Sequence, residues 1–250
     1  MNAIFTHTRL QIALKTLRTL PSFTLIQLYA NDTGIKFSLE QGFQTHLYLP
    51  SSIFLEYNVP NSFTINLHFR TFMEYLQLLL DIRNEVTIEY DGADVLIMKD
   101  TSDMETYCRT FNNTEIEEFD YSYDSTALKI IMKAETLSLI IYDVSVTAGD
   151  MAFLSIEIIS DQLRFGTRDQ DGTTSITLNL LEETAFSVLE KNALDWRYRL
   201  KDWMKFTKSL DLADNVSFSI NSGGLLSLQC AVDVGEDRPI FIEYLLAPII

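Results

Sequence analysis

The chain has 250 residues, 47% of them apolar, with 16 Phe, 11 Tyr and a formal net charge of −16. That composition excludes a disordered chain, and the longest apolar runs, such as Tyr75–Leu80, are far too short to span a bilayer. A pI near 4.5 excludes adhesion to anionic membranes and a nucleic-acid coat over the whole surface. Any contact with nucleic acid must be local. Charges interrupt the apolar centre that a cleavable signal would need in "MNAIFTHTRLQIALK", so a soluble, intracellular chain is expected. Cys108 and Cys230 are then expected to stay reduced, and the Asn-x-Ser/Thr sequons at Asn31, Asn112 and Asn215 to be chance matches.

In chain order, Leu10, Ala13, Leu14, Leu17 and Leu20 follow helical spacing, so the pattern predicts a helix over Thr8–Leu20 that Pro21 stops. Strands follow in "FTLIQLYA", "GIKFSLE", "THLYLP", "IFLEYNV" and "SFTINLHF". A second helix is predicted over Phe69–Leu80, with Phe69, Phe72, Met73, Leu76 and Leu80 on one face. Strands "EVTIEY", "DVLIMK" and "METYCRTF" complete the first half. The stretch Asn112–Thr126 is acidic, turn-prone and aperiodic, and reads as a linker. The programme then restarts with strand "ALKIIMKA", helix Ala134–Val146, and strands "FLSIEII", "QLRFGT", "TSITLNL", "AFSVLEK" and one near "WRYRL". Helix Leu200–Leu210 and strands "NVSFSI", "LLSLQCAV" and "IFIEYLL" end it.

This is an internal repeat of about half the chain. Its clearest echo sets "LLLDIRNEVTIEYDG" against "KSLDLADNVSFSINSG", matching Asp81 to Asp211 and Val86 to Val216. Expected domains are 1–111 and 127–250, joined by a connector over 112–126.

The helices carry an unusual share of the positive charge. Lys201, Lys205 and Lys208 lie within a narrow arc at about 100° per residue, opposite Trp203, Phe206 and Leu210. The first helix adds Arg9, Lys15 and Arg18 with no acid, and the second adds Arg70 beside Glu74. Ala134–Val146 has Glu135 and Asp143 and no base. Over the four predicted spans, seven Lys or Arg face four Asp or Glu, a net +3 that leaves −19 elsewhere. Such segregation suits a polyanion held against the helices through loose, sequence-independent phosphate contacts.

With this repeat and charge layout, the chain resembles the DNA sliding clamps of the PCNA type, and "EYLLAPII" (Glu243–Ile250) is similar to their C-terminal ending. "NDTGIKFSLE", "IFLEYNVPNSFTINL", "GGLLSLQC" and "IFIEY" resemble the Rad-one branch, a subunit of the heterotrimeric checkpoint ring called nine-one-one. The resemblance implies an α+β clamp fold of two tandem similar domains, each with two inner helices on outer antiparallel sheets. It implies a non-enzymatic ring subunit in the nucleus. Two other clamp subunits, double-stranded DNA, a clamp loader, and checkpoint and repair proteins would be its partners. Neither a cofactor nor a membrane is expected. Arg9, Lys15, Arg18, Arg70, Lys201, Lys205 and Lys208 would face DNA. A strand with Met104, Thr106, Tyr107, Cys108, Arg109 and Phe111 would pair with a neighbour's strand near Thr174, Ser175, Ile176, Thr177 and Leu178. Leu225, Leu245, Ala247 and Pro248 would sit near a pocket for partner peptides. The acidic Ala134–Val146 departs from the family pattern. Partner subunits could supply the missing charge in a heterotrimer; a homotrimeric replication clamp is the alternative.

Other chemistry is poorly supported. His7, His46 and His68 are isolated, and no phosphate-binding glycine loop is present. "RDQDGTTS" contains the Asp-x-Asp-Gly run of a calcium loop, but Thr167 and Leu178 stand where an Asp and a Glu are needed. Asp103 and Glu105 have the spacing of a two-metal 3′–5′ exonuclease, a reading that needs further carboxylates from distant segments. No metal site is expected.

Overall fold

A computed structural model describes the chain apart from residues 22–24, 41, 82–84, 103, 112–118, 120–125, 147, 149–151, 160–161, 169–172, 181–184, 189–193, 236–237 and 250. Nearly all of the expected connector, the centre of the calcium-like run and Asp103 therefore lie outside the described residues. The chain divides into two compact units. One holds Met1–Glu40, Thr45–Glu117 and Val232–Ile242; the other holds Gln41–Gln44, Glu118–Ala231 and Glu243–Ile250.

Among the described residues the element order repeats in full. The first half runs β1 (Asn2–Phe5), α1 (His7–Leu17), β2 (Leu25–Asn31), β3 (Gly34–Glu40), β4 (Gln44–Pro50), β5 (Glu56–Asn58), β6 (Phe63–His68), α2 (Phe69–Asp81), β7 (Val86–Glu89), β8 (Val95–Asp100) and β9 (Glu105–Phe111). The second runs β10 (Thr126–Lys133), α3 (Ala134–Val146), β11 (Phe153–Ile159), β12 (Gln162–Arg168), β13 (Thr173–Asn179), β14 (Ala185–Val188), β15 (Leu194–Arg199), α4 (Leu200–Leu210), β16 (Asn215–Asn221), β17 (Leu226–Val232) and β18 (Ile240–Leu246). Strand pairing repeats as well. The orders β4-β3-β2-β6 and β9-β8-β7-β1-β5 of the first half match β13-β12-β11-β15 and β18-β17-β16-β10-β14 of the second. The Val86 and Val216 echo is real at this level: both are fully buried in the strand that follows a helix, Val86 as its first residue and Val216 as its second.

The two halves differ at one seam. In the first, β6 meets β9 at Asn66↔Phe111 and Leu67↔Thr110, and the Asn66 side-chain amide donates to the Phe111 carbonyl at 3.2 Å. In the second, β13, β12, β11 and β15 form a separate four-stranded sheet. There the segment after β18 takes over, with the Ile249 N–H donating to the Arg197 carbonyl at 2.7 Å. Asn66 and Arg197 are each the fourth residue of a six-residue strand that runs directly into a helix.

Helix burial accounts for the cores. α1 buries Leu10, Ala13, Leu14 and Leu17, and α2 buries Phe72, Leu76 and Leu79, against Leu28, Phe37 and Ile88 from the strands. α4 buries Trp203, Phe206 and Leu210, and α3 buries Leu137, Ile141 and Val144. Trp203 meets Phe165 edge-on at 6.4 Å and Phe218 at 6.1 Å, and Phe206 meets Tyr244 edge-on at 4.7 Å. Such aromatic pairs favour tilted and edge geometries because of the ring quadrupole.

Three expectations change. α1 ends at Leu17, not Leu20, because Thr19 and Leu20 close i→i+3 bonds to Thr16 and Leu17 before Pro21, which disfavours helix in the residue ahead of it. Ile53–Val59 is not one strand: a 3₁₀ turn at Ser51–Ile53 follows Pro50, and β5 keeps three residues. β1 was not anticipated. Its alternation covers only Ala3 and Phe5, too short for a visible period, yet it pairs with both β5 and β7.

Gly224 adopts φ +80°, and its carbonyl accepts from the Tyr198 hydroxyl at 2.6 Å. A Cβ there would stand 2.3 Å from Cδ1 of Trp196 and 3.0 Å from Cγ of Pro248. Gly224→Ala should lower stability by about 1–3 kcal/mol. Urea unfolding would show this as a lower midpoint at unchanged slope, and an unchanged midpoint would refute it.

Candidate nucleic-acid interface

Each helix has one face in a core, so its remaining face is what the unit offers outward. α1 packs on α2, and α3 on α4. The α1–α2 pair frames an open groove of about 810 Å³ whose lining includes His7, Gln11, Lys15, Arg18 and Gln77. Thr6 caps α1 by accepting from the Arg9 backbone N–H at 3.4 Å. Lys15 is exposed and makes no ion pair to a described residue. Arg18, just past the helix end, hydrogen-bonds the Gln77 side chain of α2. Arg9 is half-buried and donates through Nη1 to the Phe54 carbonyl at 2.9 Å. Its guanidinium therefore supports the chain at that point. Arg70 is exposed but paired with Glu74 at 2.8 Å, one turn on.

The lysine stripe on α4 divides in two. Lys201 and Lys208 are exposed and have no ion pair to a described residue. Lys205 is only about one-third exposed; its Nζ lies 3.1 Å from Oδ1 of the buried Asp202 and 4.5 Å from the centre of the Phe43 ring. Phe43 stacks on Tyr244 at 6.4 Å, and the Tyr244 hydroxyl meets that of Ser209 at 3.1 Å. Lys205 is thus a structural lysine whose ammonium is shared by a carboxylate and a ring. The i, i+3 spacing of Asp202 and Lys205 is legible in the sequence; Phe43, far off in the chain, is not. α3 shows Glu135, Leu139, Tyr142, Asp143 and Val146 outward, an acidic and apolar face. With the observed helix ends, Arg18 leaves α1 and Asp81 joins α2, so six bases face five acids and the net falls from the expected +3 to +1. The accessible cations at the helices are Lys15, Arg18, Lys201 and Lys208; Arg109, Lys129, Lys133, Arg197 and Arg199 are exposed on strands.

Among the described residues, β9 and β13 leave part of a backbone edge open, as do the sheet-end strands β5, β14 and β15. β9 pairs along Glu105–Arg109 with β8, while β6 touches only Thr110 and Phe111. Along β9, Thr106, Cys108 and Thr110 are buried, whereas Glu105, Tyr107 and Arg109 are exposed. The Tyr107 hydroxyl donates to Glu105, and Arg109 lies over the Phe111 ring at 5.8 Å. Met104 is half-buried, its N–H bonded to Asp100 at 3.0 Å. Phe111 is held edge-on to His68 at 4.9 Å. β13 pairs with β12 alone. Ser175 and Thr177 are exposed, and Thr174, Ile176 and Leu178 are half-buried.

Of the residues expected near a peptide pocket, all are described, whereas nearly all of the connector expected beside them is not. Leu245 is buried in the core, Leu225 and Pro248 are half-buried, and Ala247 is exposed. Pro248 abuts Gly224, and Ile249 is tied to β15. His46 bonds Ser38 at 3.0 Å. Among the described residues, no group of three His, Cys, Asp or Glu is placed to hold a metal ion.

The fold is that of the ring-forming sliding clamps. It is similar to a chain of the PCNA2–PCNA3 complex of Sulfolobus tokodaii, with a TM-score of 0.73 at 16% identity, covering 99% of this chain and 99% of that one. The family described as "Repair protein Rad1/Rec1/Rad17" matches residues 4–232, and the chain belongs to that Rad1 family. Two curated relatives are the cell cycle checkpoint protein RAD1 homolog mrt-2 of Caenorhabditis elegans and the cell cycle checkpoint protein RAD1 of Mus musculus. Each is 22% identical over 88% of this chain; the match spans 84% of the first and 82% of the second.

Two local properties can be checked without DNA. Lys205→Met should cost about 1 kcal/mol, the combined scale of a partly exposed ion pair and a cation–π contact; an unchanged thermal midpoint would refute the structural assignment. Burial pushes the Cys108 thiol up to about 11 and the Cys230 thiol up to about 12. The stability contributed by keeping them neutral is complete below the ordinary thiol range near pH 8.5 and is lost as pH rises through those values. Both free thiols should resist alkylation in the native chain at pH 8 and react once urea unfolds it. Fast labelling of either thiol before unfolding would contradict their burial.

Proposed function

We propose that this chain is a non-catalytic subunit of a ring-shaped clamp that encircles duplex DNA and serves as a platform in DNA-damage checkpoint signalling and repair. The observation that carries this is the coincidence of a clamp fold over 99% of the chain with Rad1 family membership over residues 4–232. The checkpoint names of both curated relatives support the same setting. In this reading 1–111 and 127–250 are the two clamp domains and 112–126 is their connector. Two other clamp subunits complete a heterotrimeric ring through the β9 and β13 edges, a clamp loader opens it, and the ring works in the nucleus.

Retention comes from topology, so contact with DNA needs only a few weak phosphate neighbours. Lys15, Arg18, Lys201 and Lys208 suit that role because they are accessible. Arg9 and Lys205 are committed within the chain, and Arg70 is neutralised by Glu74. The outward carboxylates of α3 contribute none of the attraction.

Rings assembled with their partner subunits should stay on closed circular DNA and slide off when the circle is cut. Equal loss from circles and linear DNA would refute encirclement. Lys201→Glu with Lys208→Glu should reduce loading and lower the salt dependence of DNA association by roughly two counterions, with the ring still assembled. Unchanged salt dependence would remove α4 from the DNA side.

A further inference from the structure

We infer that a cleft on the sheet of β13, β12, β11 and β15, on the face turned away from the helices, takes a phosphorylated serine or threonine of a peptide that also carries a basic residue close by. The cleft lies wholly within the second unit, so its chemistry stands whether or not the chain closes a ring.

The cleft follows from strand register. Ser175, Gly166, Ser155 and Arg197 stand side by side across the four strands. The row on one side brings Arg164, Glu157 and Asp195, and the row on the other brings Thr173, Phe153 and Arg199. Side chains alternate along a strand, so these share one face. Leu154, Ile156, Phe165 and Tyr198 are buried on the other, where Phe165 and Tyr198 meet Trp203 of α4 edge-on. Gly166 puts no side chain into the middle of its row, and the gap above it is a cleft of about 370 Å³. The floor is close-fitting: a Cβ on Gly166 would stand 3.0 Å from Oγ of Ser155.

The walls carry both signs of charge. Arg164 donates through Nη2 to Oγ of Ser175 at 3.1 Å and lies 3.7 Å from Glu157, while Arg197 lies 4.0 Å from Asp195. Both ion pairs are longer than hydrogen bonds, so each guanidinium keeps donors for an anion. Two guanidinia beside a gap, with the exposed hydroxyls of Thr173 and Ser175, suit a compact phosphoryl dianion. Exposed Arg199 adds positive charge one row away.

The acids determine what carries the phosphoryl group. Glu157 and Asp195 are directly opposite each other on neighbouring strands, a like-charge pairing that opposes stability. They stand one row, about 7 Å, from the row of Gly166. Once an anion engages the arginines, these carboxylates attract a base and repel a second phosphate. A nucleic-acid strand has no cation to offer them, and a chain of −16 repels it further. A peptide supplies both signs within two residues of extended backbone. Phe153, 44% exposed at the opposite rim, gives an apolar side chain of that peptide a surface to cover.

Fluorescence anisotropy with the purified full chain tests this. The probe is a fluorescein-labelled peptide with a phosphoserine two residues from an arginine on one side and two from a leucine on the other, made in both orders. One order should bind at least about tenfold more tightly than its unphosphorylated twin, and inorganic phosphate should compete. Arg164→Gln with Arg197→Gln should abolish the preference for phosphate. Glu157→Gln with Asp195→Asn should remove the preference for the arginine and keep that for phosphate. Lys201→Glu with Lys208→Glu, on α4, should change neither, with circular dichroism and urea midpoints confirming that each variant is folded. Equal binding of the phosphorylated and unphosphorylated peptides, binding that survives the arginine pair of substitutions, or tighter binding of a short 5′-phosphorylated DNA strand would each overturn the assignment. A chain that fails the circle test would leave these peptide results standing, so the two failures are distinct.

Discussion

The structure depends on the burial of one face of every helix against strands. Leu10, Leu14 and Leu17 commit α1, Phe72, Leu76 and Leu79 commit α2, and Trp203, Phe206 and Leu210 commit α4. Once those residues are inside, the helical turn leaves no choice about which residues face out. The outward chemistry of the helices is thus a by-product of packing, and it differs from helix to helix. α1 and α4 turn cations outward; α3, buried through Leu137, Ile141 and Val144, turns out acids and large apolar groups.

The same constraint explains how a chain of −16 keeps a small accessible cationic set on its helices. Acids on strands and loops repel a polyanion over most of the surface, while a few lysines on flexible stems supply a loose local attraction. Accessibility separates those lysines from the rest. Lys201 and Lys205 differ by only about 40° around the helix axis, yet one is solvated and the other lies between Asp202 and Phe43.

Much of this architecture was legible in the sequence, because it rests on period. Helices α3 and α4 and strands β3, β11 and β18 have the bounds that their spacing predicts. The duplicated order of elements was visible because each half repeats the same succession of periods. Features set by distant partners were hidden. β1 is made a strand by β5 and β7, and Lys205 is held by a phenylalanine more than 150 residues away. The burial of Leu245, in the C-terminal motif, is likewise set by partners that its spacing does not show. Net charge per helix was the most fragile inference, since one residue at each of two helix ends changed it from +3 to +1.

The seams of the two repeats give one chain two mechanical characters. In the first half, load on β9 reaches β6 through two backbone pairs and the Asn66 amide, a short, directional join that resists shear. In the second, among the described residues, the corresponding strand β15 accepts at this seam the Ile249 N–H, just past a proline that has no N–H to give. A single bond is a pivot, where two adjacent pairs make a plate. The two repeats thus keep the same strand order while closing this seam with different joins.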